Sequence, residues 1–446
     1  MTGAIVDFFR CPEWFADTEL RVRLQDDLAS KLETAWSHDP FWRELQGQWL
    51  SASKIYELID GLRREHYEQA STDTKLGAIA VREAYYLVRP LLPVPVRRHL
   101  QKFALRGWEE RPFPQWPLDR TVDDLHRMLL AAAMKHKRVQ RAPFIWFWPK
   151  GYSSCLMMTH DVEQKAGLRF CSTLMDMDDS VGIKSSFQLV PEQRYKVSEK
   201  DLDLIRSRGF EVNVHDLNHD GHLFRNREKF RSRVGRINEY GRKFGASGFR
   251  AGALYRNQDW YESFEFAYDM SVPNVAHLDP QHGGCCTIFP YFLGKILELP
   301  VTAIQDYSLF HVLGSYSIDM WRKQMSEIVA HHGLVNVIAH PDYLIENRAR
   351  QTYKELLQYM SDLRANESAW IATPREVNDW WRQRSKMKLV WQGEEWSITG
   401  EGSERAAIAH ADLGEDGLVY SVEGRSSDAA RHHEPTFLRT DCEALG

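Results

Sequence analysis

The sequence predicts an α/β fold: a parallel sheet wrapped by helices, with a helical region before it and a few β-strands after it. Three observations carry that expectation. From Pro143 onward short apolar runs alternate with amphipathic helical stretches, the pattern left by βα units around a parallel sheet. Before that point apolar residues recur at spacings of three and four, and beyond Arg384 the periodicity becomes that of strands. The residues able to do chemistry fall at the C-terminal ends of the expected strands, where the loops of a βα barrel build active sites.

Taken in order, the apolar spacing predicts helices over residues 20–36 and 76–88, broken by Pro90, Pro93 and Pro95. A basic stretch follows, in which Arg97, Arg98, Lys102 and Arg106 stand beside Leu100, Phe103, Leu105 and Trp108. It reads as a solvated helix face, with peripheral contact to a membrane surface as the alternative. Residues 112–117 form an extended connector and 122–134 one more helix. Strands are then expected near 145–148, 156–160, 184–189, 211–215, 248–250, 268–272, 296–299 and 335–340, with helices near 168–177, 202–207, 229–244, 318–331 and 353–363. Seven or eight such repeats are enough to close a barrel. Four further strands, near 389–391, 396–399, 406–410 and 418–422, make a small β appendage, and the residues from Arg425 lack periodicity. The expected organisation is a helical region 1–140, a barrel 141–385, a β module 386–424 and a disordered tail 425–446.

A net charge of −5 over 446 residues argues against a dedicated nucleic-acid binder, which needs a strongly basic surface. Residues 1–20 carry charges and no apolar core of signal-peptide length, and no apolar run approaches the roughly 20 residues of a membrane span. A cytoplasmic protein without a transmembrane segment is therefore expected. Cys11, Cys155, Cys171, Cys285, Cys286 and Cys442 show no disulfide framework, and reduced, buried thiols are the expectation.

Two segments concentrate the chemistry: Thr159-His160-Asp161-Val162-Glu163 and His215-Asp216-Leu217-Asn218-His219. Acids two apart on a strand point to the same side, so Asp161 and Glu163 share one pocket. Histidines four apart fall on one face of a helical turn and offer two imidazoles to one ion. Glu163, His215 and His219 are thus candidate ligands of a divalent metal, zinc first, with cobalt, nickel or manganese as substitutes. Singly, each has an ordinary explanation as a hydrogen-bonded histidine or a paired acid. The ordered series of acid pair, histidine pair, Arg250 and the late His340, each at an expected strand end, is what points to a site.

Residues from about Pro143 to Arg384 resemble the polysaccharide deacetylase family, carbohydrate esterase family 4, with its chitooligosaccharide-deacetylase homology domain. The resemblance covers somewhat over half the chain. It implies a distorted (β/α)7-type barrel holding one divalent metal and a hydrolytic reaction at an N-acetyl or related amide. Asp161 stands where the family keeps its catalytic base, and Glu163 replaces a metal-binding aspartate. His215 to His219 matches the HxxxH motif, with Asp216 where Ser or Thr is usual. Gly248-Phe249-Arg250 resembles the third motif, whose arginine holds the base, although Ala251-Gly252 replaces the usual proline. Tyr268-Asp269 resembles the fourth motif without its tryptophan, and Ile338-Ala339-His340 the last, whose apolar residue lines the acetyl pocket and whose histidine is the acid.

These roles are chemically coherent. Asp161, paired with Arg250, takes a proton from a metal-held water while His340 protonates the leaving nitrogen. Asp269 is expected to orient His340. His160, His222, Glu298 and Asp306 are read as supporting residues, His160 because strand alternation turns it away from Asp161. The substrate expected is an N-acetylated sugar or polysaccharide precursor. The alternatives are a small non-sugar cyclic amide, or a deacetylase-like binding or scaffold protein without activity.

Overall fold

Strands buried on both faces need helices outside and a filled interior, and that requirement shapes the chain from residue 155 onward. The computed structural model describes residues 4–15, 20–36, 48–69, 107–415 and 417–424. Two short strands, β1 (Arg21–Val22) and β2 (Leu50–Ser51), pair antiparallel in the N-terminal region, and β3 (Arg141–Ile145) precedes the main sheet. That sheet comprises β4 (Cys155–Val162), β5 (Ser186–Leu189), β6 (Glu211–His215), β7 (Gly248–Arg250), β8 (Tyr268–Asp269), β9 (Tyr291–Leu293), β10 (Ile296–Glu298), β11 (Leu334–Ile338) and β12 (Trp370–Ile371). Their order is β11-β4-β5-β6-β7-β8-β10-β9, with β12 beside β4. Every pairing is parallel except the β9–β10 hairpin.

The fold is therefore α/β, and the parallel strands curl into a barrel that closes irregularly. Side chains bridge the gap between β10 and β11: Thr302 Oγ1 donates to Leu334 O at 2.7 Å, and Asn336 Nδ2 donates to Leu299 O at 3.1 Å.

Twelve helices are described: α1 (Ala4–Phe9), α2 (Asp26–Trp36), α3 (Ala52–Arg63), α4 (His66–Gln69), α5 (Thr121–Lys137), α6 (Lys165–Ser180), α7 (Glu199–Ser207), α8 (Arg227–Lys243), α9 (Asp319–Ala330), α10 (Pro341–Leu344), α11 (Asn347–Asn366) and α12 (Pro374–Lys386). Their starts follow from sequence. Ser198 and Thr373 each close a capping box with an acid three residues on, and Asn226 caps α8 by accepting from Lys229 N. The N-terminal helices share one hydrophobic core with the barrel. Arg384, fully buried at the end of α12, staples them together by donating to Phe8 O at 3.0 Å, Trp146 O at 2.8 Å and Ile145 O at 2.7 Å.

Most expected elements lie where the spacing placed them, within a few residues. The strand expected at 145–148 is a correction: it runs instead from Arg141 to Ile145 and pairs antiparallel with β15 (Ile408–Gly414), not with the parallel sheet. Its five residues alternate too little to reveal an edge strand whose partner lies far along the chain. The C-terminal strands form the hairpin β13 (Lys388–Gln392) with β14 (Glu395–Thr399), and β15 with β16 (Gly417–Val422). Helices α1, α10 and α12, strands β1, β2 and β12 and the β9 hairpin arm were not expected, and the helix expected from residue 20 starts at Asp26 because Arg21–Val22 pair as β1 with β2. The helix expected at 76–88, the residues Arg97, Arg98, Lys102 and Arg106, and the tail from Arg425 lie outside the described residues. All five described cysteines are buried and unbridged. No described helix is long and apolar enough to cross a membrane.

At the N-terminal end of the barrel, Glu211 ties α12 to the sheet, accepting from Arg375 N at 3.0 Å and from Asn213 Nδ2 at 2.9 Å. Burial pushes its carboxyl up to about 7. A carboxyl raised in the folded state stabilises fully below its unfolded value near 4.5, and that contribution is lost as pH rises through about 7. We expect Glu211→Gln to flatten the fall in urea midpoint between pH 5 and 8; an unchanged slope would refute this account of the residue.

Candidate active site

The strand ends of β4, β6, β7 and β11 bring the candidate residues together. Along β4 the pleat sends Thr159 and Asp161 into the barrel and His160 outward to the helices. Arg250, at the end of β7 and fully buried, reaches across the interior: Nη1 donates to Asp161 Oδ1 and Thr159 Oγ1, both at 2.8 Å, and Nε donates to Met270 O at 2.9 Å. Burial alone would raise the Asp161 carboxyl, but Arg250, with His215 and His340 beyond it, holds the group below the usual carboxylate range. The base candidate is therefore ionised. The expected pairing of Asp161 with Arg250 is present.

His215 ends β6. Its Nδ1 lies 3.1 Å from Arg250 O, and since a carbonyl only accepts, Nδ1 carries the proton. Burial pulls the imidazole down to about 4, so the ring is neutral and Nε2 presents a lone pair. His219 follows across a turn. Its Nε2 is 2.9 Å from Glu163 Oε1, yet neither His215 Nε2 nor His219 Nε2 has a hydrogen-bond partner in good alignment among the described residues. The ligand atoms of Glu163, His215 and His219 all lie within 4.8 Å of one another, and among the described residues no other group of this kind is found.

The route by which the two histidines meet is a correction. They do not lie on one face of a helical turn: Asp216 and His219 both take left-handed backbone, with φ of 54° each. Leu217 N donates to Asp216 Oδ1 at 2.7 Å, the local side-chain bond that lets an aspartate hold that conformation. The turn also needs Gly252 opposite it, where a Cβ would stand 2.6 Å from Asp216 Oδ2 and 3.1 Å from His219 Cδ2. The glycine in place of the proline expected near this motif thus makes room for the ligand turn.

Glu163 sits one residue past β4 on the same side as Asp161. The loop it starts is held by Asp342, which accepts from Glu163 N at 3.2 Å, Gln164 N at 3.1 Å and Gly167 N at 2.8 Å. His340, past the end of β11, places Nε2 3.5 Å from Glu163 Oε1. Burial would lower its imidazole, but Asp306 and Glu163 outweigh burial and hold it well above the usual histidine value. Asp161 lies against His215, with 3.8 Å between Oδ2 and Nε2, so base and acid candidates flank the cluster from two sides. Side-chain exposures of 19% at Glu163 and 12% at His219 mark the corner open to solvent.

Asp269 is a second correction. The carboxylate on His340 is Asp306, which accepts from Nδ1 at 2.6 Å and from the backbone N–H at 2.7 Å. Asp269 instead bonds Ser271 N at 2.7 Å and Ser271 Oγ at 2.9 Å, and faces Glu298 across the β8–β10 pairing. Both acids are fully buried, and burial raises the Asp269 carboxyl and, with Asp269 beside it, pushes Glu298 well above its ordinary value. The signal for Asp306 was an acid in an apolar run; nothing local tied it to His340. His222 pairs with Asp220, 3.5 Å away, outside the cluster, and His160 faces α6 and α11.

No protein-family model and no curated protein matches the chain. Among solved structures it is similar to a protein from Mycobacterium smegmatis described as a polysaccharide deacetylase, at 17% identity over 56% of this chain and 96% of that one, with a TM-score of 0.42. An allantoinase is similar at 12% identity over 53% and 92%, with a TM-score of 0.43. A peptidoglycan N-acetylglucosamine deacetylase is similar at 13% identity over 51% and 89%, with a TM-score of 0.33.

Removing Arg250 leaves Asp161 buried without its counter-charge, which costs about 3–5 kcal/mol for a buried pair broken on one side. In chelator, Arg250→Met is expected to lower the urea midpoint strongly, and adding Asp161→Asn to recover part of the loss. Strict additivity of the two changes would show that the pair is not coupled.

Proposed function

We propose that this chain is a metal-dependent hydrolase of non-peptide amide C–N bonds, acting on the N-acetyl group of an amino sugar in a glycan or glycan precursor. The observation that carries the reading is the meeting of Glu163, His215 and His219 beside an Asp161 paired with Arg250 and a His340 held by Asp306. His215 Nε2 is buried without a hydrogen-bond partner and aims at the same point as His219 Nε2 and Glu163 Oε1, and a nitrogen, nitrogen, oxygen donor set suits zinc, with cobalt, nickel or manganese as substitutes. Glu163, His215 and His219 would hold the ion.

When bound there, a divalent cation supplies Lewis acidity to the attacking water and to the amide carbonyl. The chain's own residues do the proton work. Asp161, kept ionised by Arg250, takes the proton of the attacking water. Asp306 occupies Nδ1 of His340, so the proton on Nε2, which faces the cluster, goes to the leaving nitrogen. An amine leaves poorly without that acid. Arg250 positions the base through its guanidinium and the His215 ligand through its carbonyl.

Elemental analysis is expected to find about one divalent ion per chain, lost in His215→Ala. Asp161→Asn is expected to keep the ion and lose about 10²–10⁴-fold in kcat. Given each metal and a panel of acetylated amino sugars beside a small cyclic amide, the protein should release acetate and free amine from the sugars. Turnover of the cyclic amide alone would move the substrate class, and no release from any amide with any metal would overturn the reading.

A further inference from the structure

His160 is buried with no exposed surface, directly before the base candidate, and the proton transfers proposed above do not use it. Its two nitrogens are nonetheless both committed. Nδ1 lies 3.0 Å from Ala339 O and Nε2 lies 3.1 Å from Asp178 Oδ2. Asp178, on α6, is itself fixed by Ser185 Oγ at 2.6 Å and by the Tyr353 hydroxyl from α11. A carbonyl can only accept, so Nδ1 donates to Ala339.

The place where that bond lands gives it meaning. The β4–β11 pairing ends at Ile338 opposite Thr159, followed by one more backbone bond from Ala339 N to Thr159 O at 3.0 Å. The next peptide unit, between Ala339 and His340, is gripped at both ends by side chains: its carbonyl by His160, and its N–H by Asp306 at 2.7 Å. Two side chains from different elements thus set the plane of the peptide from which the His340 ring projects. We propose that His160, braced by Asp178, Ser185 and Tyr353, is a positioning residue that aims His340 through the Ala339–His340 peptide; this rests on the reading of His340 as the acid.

A residue needed only to fill the core would make no demand on nitrogen. The nearest ring, Phe187, lies 4.9 Å away by centroid, so a phenyl group keeps that packing while giving up the bonds to Ala339 and Asp178. The two roles therefore predict opposite rankings of two substitutions. His160→Phe keeps the ring and removes the donor. His160→Asn loses volume, but its amide Nδ2 stands where Nδ1 stood and can still donate to Ala339 O.

The test measures kcat, KM, metal content and amide hydrogen exchange over residues 334–344 in both variants. His160→Phe is expected to keep its metal and a KM within about twofold of the parent while losing about 10–100-fold in kcat, the scale of a misplaced catalytic group. The exchange of the segment should quicken in the same variant. His160→Asn should restore most of both. If His160→Phe does not fold, Asp178→Ala, which removes the acceptor on Nε2, takes its place, with a fall in kcat and faster exchange expected in the same direction. A Phe variant as active and as protected as the parent, or an Asn variant worse than Phe in both readouts, overturns the proposal. Should the parent hydrolyse no amide, the functional reading falls, while the exchange ranking still decides whether His160 holds this peptide.

Discussion

One buried guanidinium organises the chemical end of this barrel. Arg250 lies on β7 and its partner Asp161 on β4, strands separated in the sheet by β5 and β6, so their 2.8 Å contact spans the interior and exists only because the sheet curls. A buried cation needs a counter-charge and fixed dipoles around it. Asp161 supplies the charge, and Thr159 Oγ1 and Met270 O accept from Nη1 and Nε, while Nη2 has no hydrogen-bond partner among the described residues. The same residue's carbonyl accepts from Asp216 N at 2.8 Å and from His215 Nδ1, which sets both the turn from His215 to His219 and the tautomer of His215. The candidate base and the first candidate metal ligand thus both depend on Arg250, one through its side chain and the other through its backbone carbonyl.

Around that centre each reactive group is held by a partner that also fixes its protonation. Asp306 grips His340 twice, and Asp342 gathers three N–H groups of the loop carrying Glu163, so that an added Cβ at Gly167 would stand 2.4 Å from its Oδ2. The opposite end of the barrel works differently. There Glu211, Asn213 and Tyr268 bond one another and the backbone around Gly248, whose missing Cβ admits the Tyr268 ring. Polar groups at that end close the structure, and those at the strand C-termini are arranged around an open corner, the division expected of a βα barrel.

How much of this was legible depends on how local each signal is. The period of two along β4 turned Asp161 inward to Arg250 and His160 outward to Asp178, and Glu163, one residue past the strand, stands with Asp161 beside His215. The histidine pair was legible as a pair but not as a shape, because left-handed backbone at Asp216 and His219 leaves no periodic trace. Asp306 was hidden for a different reason. It reaches His340 from the chain between β10 and β11, 34 residues away, whereas Asp269 at a strand end looked equally suited and is instead engaged with Ser271 and Glu298. Strand β3 was misplaced for the same reason, since its partner β15 joins it from beyond the whole barrel.

The account stands on a single divalent cation gripped by Glu163, His215 and His219. Anomalous diffraction at the zinc edge, from crystals grown with zinc, tests this most directly. The account predicts one strong peak at about 2.0–2.2 Å from an imidazole nitrogen of each histidine and from a Glu163 carboxylate oxygen. No peak there, or a peak bound only by other residues, would contradict it.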